Sequence, residues 1–250
     1  MPENILICTA WPYANGSIHL GHIAGCYLPA DIFARYQRLN GNNVLMVSGS
    51  DSHGTPVTIT AESQGISPEE VANTYQKEFL TAWDNLGISY DLFTSTQTEN
   101  HTKIVQDIFI TLYEKNLIYK DVMSQPFCQS HNRYLADRYV EGICPHCTSE
   151  NARGDQCDNC GNTLDPKDLI NIRHKDCTDS PIFKDTEHFF LRLSSFEKDL
   201  LKWVNSHSHW KPNVKNFTTG FLENGLKDRA ITRDITWGVP IPLDGYEDKR

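Results

Sequence analysis

A short apolar run, Ile5-Leu6-Ile7-Cys8, leads into Pro12-Tyr13-Ala14-Asn15-Gly16-Ser17-Ile18-His19-Leu20-Gly21-His22. About twenty residues with helical apolar spacing follow: Leu20, Ile23, Ala24, Tyr27, Leu28, Ile32, Tyr36 and Leu39. The run reads as a buried strand, so the Gly- and His-bearing stretch sits where a strand ends and a helix begins. In a doubly wound α/β sheet that junction binds phosphates, because the first N–H groups of a helix have no internal partners and lie at its positive end. Two histidines three apart at a helix start face the same side. Gly21 between them leaves the backbone open to a flat ring.

The next elements turn this junction into a fold prediction. Pro29 removes one donor from the helix and predicts a kink near Gly25, and Asn40-Gly41-Asn42-Asn43 ends the helix. Val44-Leu45-Met46-Val47 reads as a second buried strand. A strand, helix, strand unit of this length makes the two strands parallel and adjacent, with both ends at one sheet edge. Asp51 and His53 are thereby expected beside Tyr13 and His19. Thr55–Ala61 fits one or two helical turns. Ser67-Pro68-Glu69-Glu70 is a capping box, opening a helix that buries Val71, Tyr75, Phe79, Ala82, Trp83 and Leu86 and ends at Gly87. Residues 88–93 alternate as a third strand. Thr96-Gln97-Thr98-Glu99 is a second capping box, for a helix buried through Ile104, Val105, Ile108, Leu112 and Tyr113.

From about residue 117 the texture changes: Cys, Asp, Asn and Gly rise and periodicity vanishes until about 189. Helices are expected again at 195–205, capped by Ser194 with Glu197, and at about 213–224, ended by Gly225. Ile231–Pro240 reads as a return to the sheet edge. No solenoid repeat or low-complexity tract interrupts the chain.

Six of the eight cysteines lie between 128 and 177. Nothing at the N-terminus reads as a secretory signal, so a cytoplasmic location is expected, and clustered C-x-x-C pairs there mean metal before disulfide. Cys144-Pro145-His146-Cys147 and Cys157-Asp158-Asn159-Cys160 are two such knuckles; four thiolates make a closed structural zinc site. Cys128-Gln129-Ser130-His131 and His174-Lys175-Asp176-Cys177 flank them almost symmetrically, as C-x-x-H and H-x-x-C, and supply a second site of two cysteines and two histidines. His146 has no partner and is read as a surface residue. Cys8 and Cys26 are read as small buried hydrophobes.

The chain has 250 residues with a formal net charge of −9. That balance argues against a generic polyanion binder, and DNA is not expected as a partner. Residues 1–116 carry 5 basic and 12 acidic side chains and the remainder 18 and 20. A nucleic-acid contact therefore needs a local patch, favoured in the second part. No apolar run approaches membrane-spanning length.

His19-Leu20-Gly21-His22 resembles the HIGH signature of class I aminoacyl-tRNA synthetases. Trp11-Pro12-Tyr13-Ala14-Asn15-Gly16-Ser17 and Asp51-Ser52-His53-Gly54-Thr55-Pro56 narrow the resemblance to the methionyl-tRNA synthetases, of archaeal type given Trp11. Leu135–Gly142, Ala152–Cys157, Asp185–Phe190 and Trp237-Gly238-Val239-Pro240 extend it over essentially the whole chain, although Ala136 stands where the family usually has Pro. Some members carry two zincs on four cysteine knuckles here; this sequence departs by placing histidines at 131 and 174.

The resemblance implies an α/β fold: the first half of a Rossmann-like (HUP) nucleotide-binding domain at 1–116, a zinc-binding connective insert at 117–229, and a return to the catalytic domain at 230–250. It implies ATP-dependent activation of L-methionine and transfer to tRNA(Met), with Mg accompanying ATP. Asn15, Gly16, His19, Gly21 and His22 would bind ATP, His19 and His22 stabilising the transition state. Trp11 and Tyr13 would line the methionine pocket, Asp51 would take the ammonium group, and Arg233 would balance charge at the sheet edge. The family's Lys-Met-Ser-Lys-Ser-type loop has no counterpart in this sequence. The chain is therefore expected to be an N-terminal fragment, inactive alone. A reading of another class is a non-catalytic zinc-bearing module that docks tRNA or a protein; such a module has no physical need for His19, His22 and Asp51 together.

Overall fold

In the computed structural model, which describes residues 1–175, 177 and 180–250, the chain forms two units. Residues 1–105 with 237–239 make the first; residues 106–236 with 240–250 make the second.

The first unit is built on a parallel sheet in the order β1 (Asn4–Cys8), β2 (Asn43–Ser50), β3 (Leu92–Ser95). The crossover from β1 to β2 starts as α1 (Leu20–His22), widens into a π-helical turn at Ile23–Tyr27, and resumes as α2 (Leu28–Leu39). The break expected near Gly25 is present as this π turn: an extra residue is accommodated just before Pro29, which has no N–H to offer an α-helical ladder. α3 (Thr55–Gln64) runs further than its apolar spacing indicated, to Gly65 at φ +67°. α4 (Pro68–Leu86) carries the expected reciprocal cap between Ser67 and Glu70 and ends at Gly87 in the left-handed region.

The two apolar strand readings need correcting on burial. Ile7, Val44, Met46 and Phe93 pack into the core with Val57, Val71, Phe79 and Trp83, but only on one side of the sheet. On the other side Leu6, Cys8, Leu45 and Leu92 are exposed, Leu6 at 63%. Cys8 is thus not a buried hydrophobe, and Cys26 is only half-buried. α2 likewise leaves Ile32, Phe33, Tyr36 and Leu39 open.

β3 starts later than residue 88, since Ile88 is buried in the core and Asp91 already turns back to give its carboxylate to the Met46 N–H. The next helix, α5 (Glu99–Glu114), is capped by Thr98, whose hydroxyl accepts the His101 N–H at 3.2 Å, and not by Thr96. Thr96 is occupied at the sheet end: it donates its N–H to Ser50 O and accepts the Ser52 N–H. Ile104, Val105 and Ile108 on α5 are exposed where burial was expected.

The second unit contains a regular scaffold with no sequence periodicity to announce it. β4 (Ile118–Cys128) pairs antiparallel along its length with β9 (Ile182–Leu191), in a sheet ordered β10-β9-β4-β5, where β5 is Arg133–Tyr134 and β10 is Arg229–Ala230. The chain between them forms a small sheet, β7-β6-β8, from β6 (Val140–Ile143), β7 (Ala152–Arg153) and β8 (Ile170–His174). α6 (Glu197–Ser206) and α7 (Pro212–Glu223) follow β9. The expected Ser194–Glu197 cap does not form: Ser194 hydrogen-bonds Asp228, and Glu197 accepts the Leu226 N–H.

Candidate active site and metal centres

The βαβ argument places the ends of β1 and β2 side by side, and the hydrogen bonds continue that pairing past the strands. Tyr13 and Asp51 form a parallel bridge, with Ala14 N–H to Asp51 O and Asp51 N–H to Pro12 O, both 2.8 Å. Asp51 is half-buried. Burial raises its carboxyl, opposed by the backbone N–H of His53 and by the nearby His101 ring. His53 is pushed down by burial and by His101, whose ring lies 6.3 Å away; the Trp237 ring meets it edge-on at 5.4 Å. His101 was not singled out from the sequence, because a lone histidine on an amphipathic helix carries no signal without the topology.

Trp11 and Tyr13 are exposed, at 38% and 53%, beside Asp51 in the chain's path. The Trp11 ring lies directly on the Gly49 backbone: a Cβ there would stand 2.8 Å from two ring atoms. Asn15 gives its carbonyl to the Thr60 hydroxyl at 3.1 Å, and Gly16 has open space around it.

His19 and His22 cap each other's turn. Nδ1 of His19 accepts the Gly21 N–H at 3.1 Å, Nδ1 of His22 accepts the His19 N–H at 3.3 Å, and the rings stack at 3.9 Å. A neutral imidazole that accepts at Nδ1 carries its proton on Nε2. Each exposed ring therefore presents an Nε2–H donor with no hydrogen-bond partner among the described residues. Gly21 is required by this cap itself, because a Cβ would lie 2.9 Å from Cε1 of His19.

Arg233 belongs to the second unit. Its guanidinium donates to the carbonyls of Ala230 and Thr232, its backbone pairs with Arg250, and its charge partly offsets the burial that raises Asp137.

Both sets of metal-ligand residues assemble. Cys144, Cys147, Cys157 and Cys160 bring their sulfurs within 4.8 Å of one another, as do the donor atoms of Cys128, His131, His174 and Cys177. The sulfur separations 144–160 and 147–157 are 3.9 and 3.5 Å. Those are too long for disulfides and match the roughly 3.8 Å edge of a tetrahedron with metal–sulfur bonds of about 2.3 Å. In the second set, Cys128 and Cys177 are 3.6 Å apart, and Nδ1 of His131 and of His174 lie 3.2 and 3.1 Å from their neighbouring sulfurs. The donor chemistry and spacing fit a metal ion in each. His146 is exposed and belongs to neither.

A βαβ edge with a paired-histidine turn is the arrangement that the resemblance to class I tRNA synthetases implies, and cysteine knuckles follow it in the same chain. The family model for tRNA synthetases class I (M) matches residues 5–250, and the chain belongs to that family. It is 60% identical over 250 residues to a methionine–tRNA ligase of Dehalococcoides mccartyi, covering 100% of this chain and 45% of that protein. It is 54% identical to the enzymes so named from Thermomicrobium roseum, over 249 residues, and Thermoplasma acidophilum, over 246, covering 43% and 45% of them and 100% and 98% of this chain. Among solved structures, the Mycobacterium tuberculosis methionyl-tRNA synthetase in complex with methionyl-adenylate superposes with a TM-score of 0.73 at 22% identity. That match covers 99% of this chain and 44% of the other, and shows the shared fold. The chain thus spans under half the length of the curated relatives it matches. No helix among the described residues is long and apolar enough to cross a membrane.

Proposed function

We propose that this chain supplies the methionine- and ATP-binding part of a methionine–tRNA ligase acting in the cytoplasm. What supports the reading is the pair of Nε2–H donors on His19 and His22, in the turn and helix start that follow β1, together with the half-buried Asp51 carboxylate that bridges Tyr13 at the end of β2. A carboxylate there can take the ammonium of methionine in a charge-assisted contact, with Trp11 and Tyr13 against the side chain. The substrate carboxylate attacks the α-phosphorus of ATP, an acyl–phosphate bond forms, and pyrophosphate leaves with its Mg²⁺. The two imidazole donors stabilise charge on the phosphate oxygens, Asn15 and Gly16 border the nucleotide, and Gly21 leaves room for the His19 ring that presents one of those donors. A terminal hydroxyl of tRNA(Met) then attacks the methionyl carbonyl and releases AMP. No strong base or nucleophile is needed, since positioning and charge stabilisation dominate such transfers. Arg233 is proposed as a further cation for this chemistry on the strength of its motif alone.

Zinc is the proposed metal at both centres, since thiolate and imidazole in tetrahedral sets suit it best. Bound there, zinc would tie together the turns that follow β6 and β7 at one centre and the ends of β4 and β8 at the other, and would take no part in the chemical steps.

The test is a chimera in which residues 1–250 replace the matching segment of the Dehalococcoides mccartyi enzyme. Methionine-dependent pyrophosphate exchange is expected, and His19→Ala/His22→Ala should remove it. A chimera that binds tRNA but never exchanges pyrophosphate would instead support a non-catalytic docking module.

A further inference from the structure

Ser52 lies between Asp51 and His53 and has no exposed surface. Each of its polar groups is tied to a different part of the first unit. Its N–H donates to the Thr96 hydroxyl at 2.9 Å, and its carbonyl accepts the Trp237 indole N–H at 2.7 Å. Its own hydroxyl sits 3.1 Å from that of Ser50 and 3.0 Å from that of Ser95. The chain of hydroxyls continues from Ser50 to Gln76 of α4, whose amide donates to Thr94 O at 3.2 Å. The ends of β2 and β3 and the 237–239 segment therefore converge on Ser52, and α4 joins them through Ser50.

The Ser52 hydroxyl is not needed to satisfy its neighbours. Ser50 keeps its bond to Gln76, and Ser95 keeps the Gln97 N–H at 3.2 Å. An alanine at 52 would leave neither hydroxyl orphaned. What the hydroxyl and the indole fix is residue 52 and the peptide that joins it to His53. That peptide matters because it carries the His53 N–H, which acts on the Asp51 carboxyl against its burial. The Asp51 backbone is pinned by its bonds to Pro12 and Ala14, so residue 52 sets how the chain leaves Asp51, and a small misplacement of a charged substrate contact weakens binding strongly.

We propose that Ser52 is a positioning residue for the amino-acid substrate: its hydroxyl, with the Trp237 indole, clamps the Asp51–His53 turn so that the Asp51 carboxylate meets the ammonium group. This rests on the assignment of Asp51 above and adds what holds it in place. The role is one of aim and not of stability, so its signature is selective. In the chimera, Ser52→Ala should raise KM for methionine about tenfold, leaving KM for ATP and the thermal midpoint nearly unchanged. Ser52→Cys, which keeps a weak donor, should recover part of the loss. Trp237→Phe keeps an aromatic ring beside His53 but removes the indole bond, and should raise the same KM. Asp51→Ala separates the layers of the argument. If it raises KM for methionine while Ser52→Ala and Trp237→Phe do not, the clamp is wrong and the site assignment stands. If Asp51→Ala leaves that KM unchanged, both fall. A loss in Ser52→Ala that affects both substrates alike together with the thermal midpoint would mean a structural role only, and would also overturn the proposal.

Discussion

Gly49→Ala is a one-methyl change whose consequence follows from geometry. Gly49 is buried in β2, opposite Thr94 of β3. A Cβ would stand 2.8 Å from Thr94 O and 2.8 Å from two atoms of the Trp11 ring, against an ordinary contact of 3.4–4 Å. The carbonyl cannot retreat without parting the β2–β3 ladder and the Gln76 bond to the same oxygen. The Trp11 ring, partly exposed, is the partner free to move. Overpacking of this kind costs about 1–3 kcal/mol, and two overlaps, one on backbone, place it near the upper end. Replacing glycine by alanine returns roughly 0.5–1 kcal/mol of chain entropy. The expected net loss is about 2 kcal/mol, or roughly 1 M in a urea midpoint read by circular dichroism. Displacement of Trp11 should also weaken methionine binding in the chimera. An unchanged midpoint, with the ring still lying on residue 49 in a crystal structure of the variant, would refute the reasoning.

Zinc measured by atomic emission after exhaustive dialysis should give two ions per chain, and His131→Ala should leave one. Cys144→Ser should lose the inner ion and expose the β6–β8 amides to hydrogen exchange, with protection of the β1–β3 sheet retained, because structural zinc contributes folding energy directly. The Asp51 carboxyl is raised by burial, and ammonium binding needs it ionised. Methionine affinity measured by calorimetry should therefore fall on acidification from a higher pH than an exposed aspartate near 4 would give. Asp234 is opposite in sign: burial works to raise it, but bonds from His188 and Lys249 hold it below its usual value. Its contribution to stability is present above the ordinary carboxylate range and is lost as pH falls through the lowered value. Asp234→Asn should flatten that acid limb in thermal melts.

The residues proposed to bear chemistry were legible because each sits near the end of an element with a strong local signal. Strand, turn, helix and strand in succession allow one arrangement, so Tyr13 and Asp51 had to meet, and the observed bridge between them is the consequence. Knuckle spacing works the same way: two thiolates on one tight turn need no knowledge of the rest of the fold. What stayed hidden depends on partners distant in sequence. β4 shows no alternation because its burial is graded along its length, open at Asp121 and Val122 and closed from Gln125 to Cys128, so its pairing with β9 leaves no period-two trace. The misplaced cap at Thr96 has the same origin. Its hydroxyl matches a helix start as well as Thr98 does, and only the sheet end, by taking it for Ser52, decides between them. Ser52 itself reads as a small turn residue in sequence. Its weight comes from Thr96, Ser95, Ser50 and Trp237, the last 185 positions away, arriving at one point. A motif thus names a candidate site residue, while the buried contacts that fix its neighbour emerge only once the chain has closed around them.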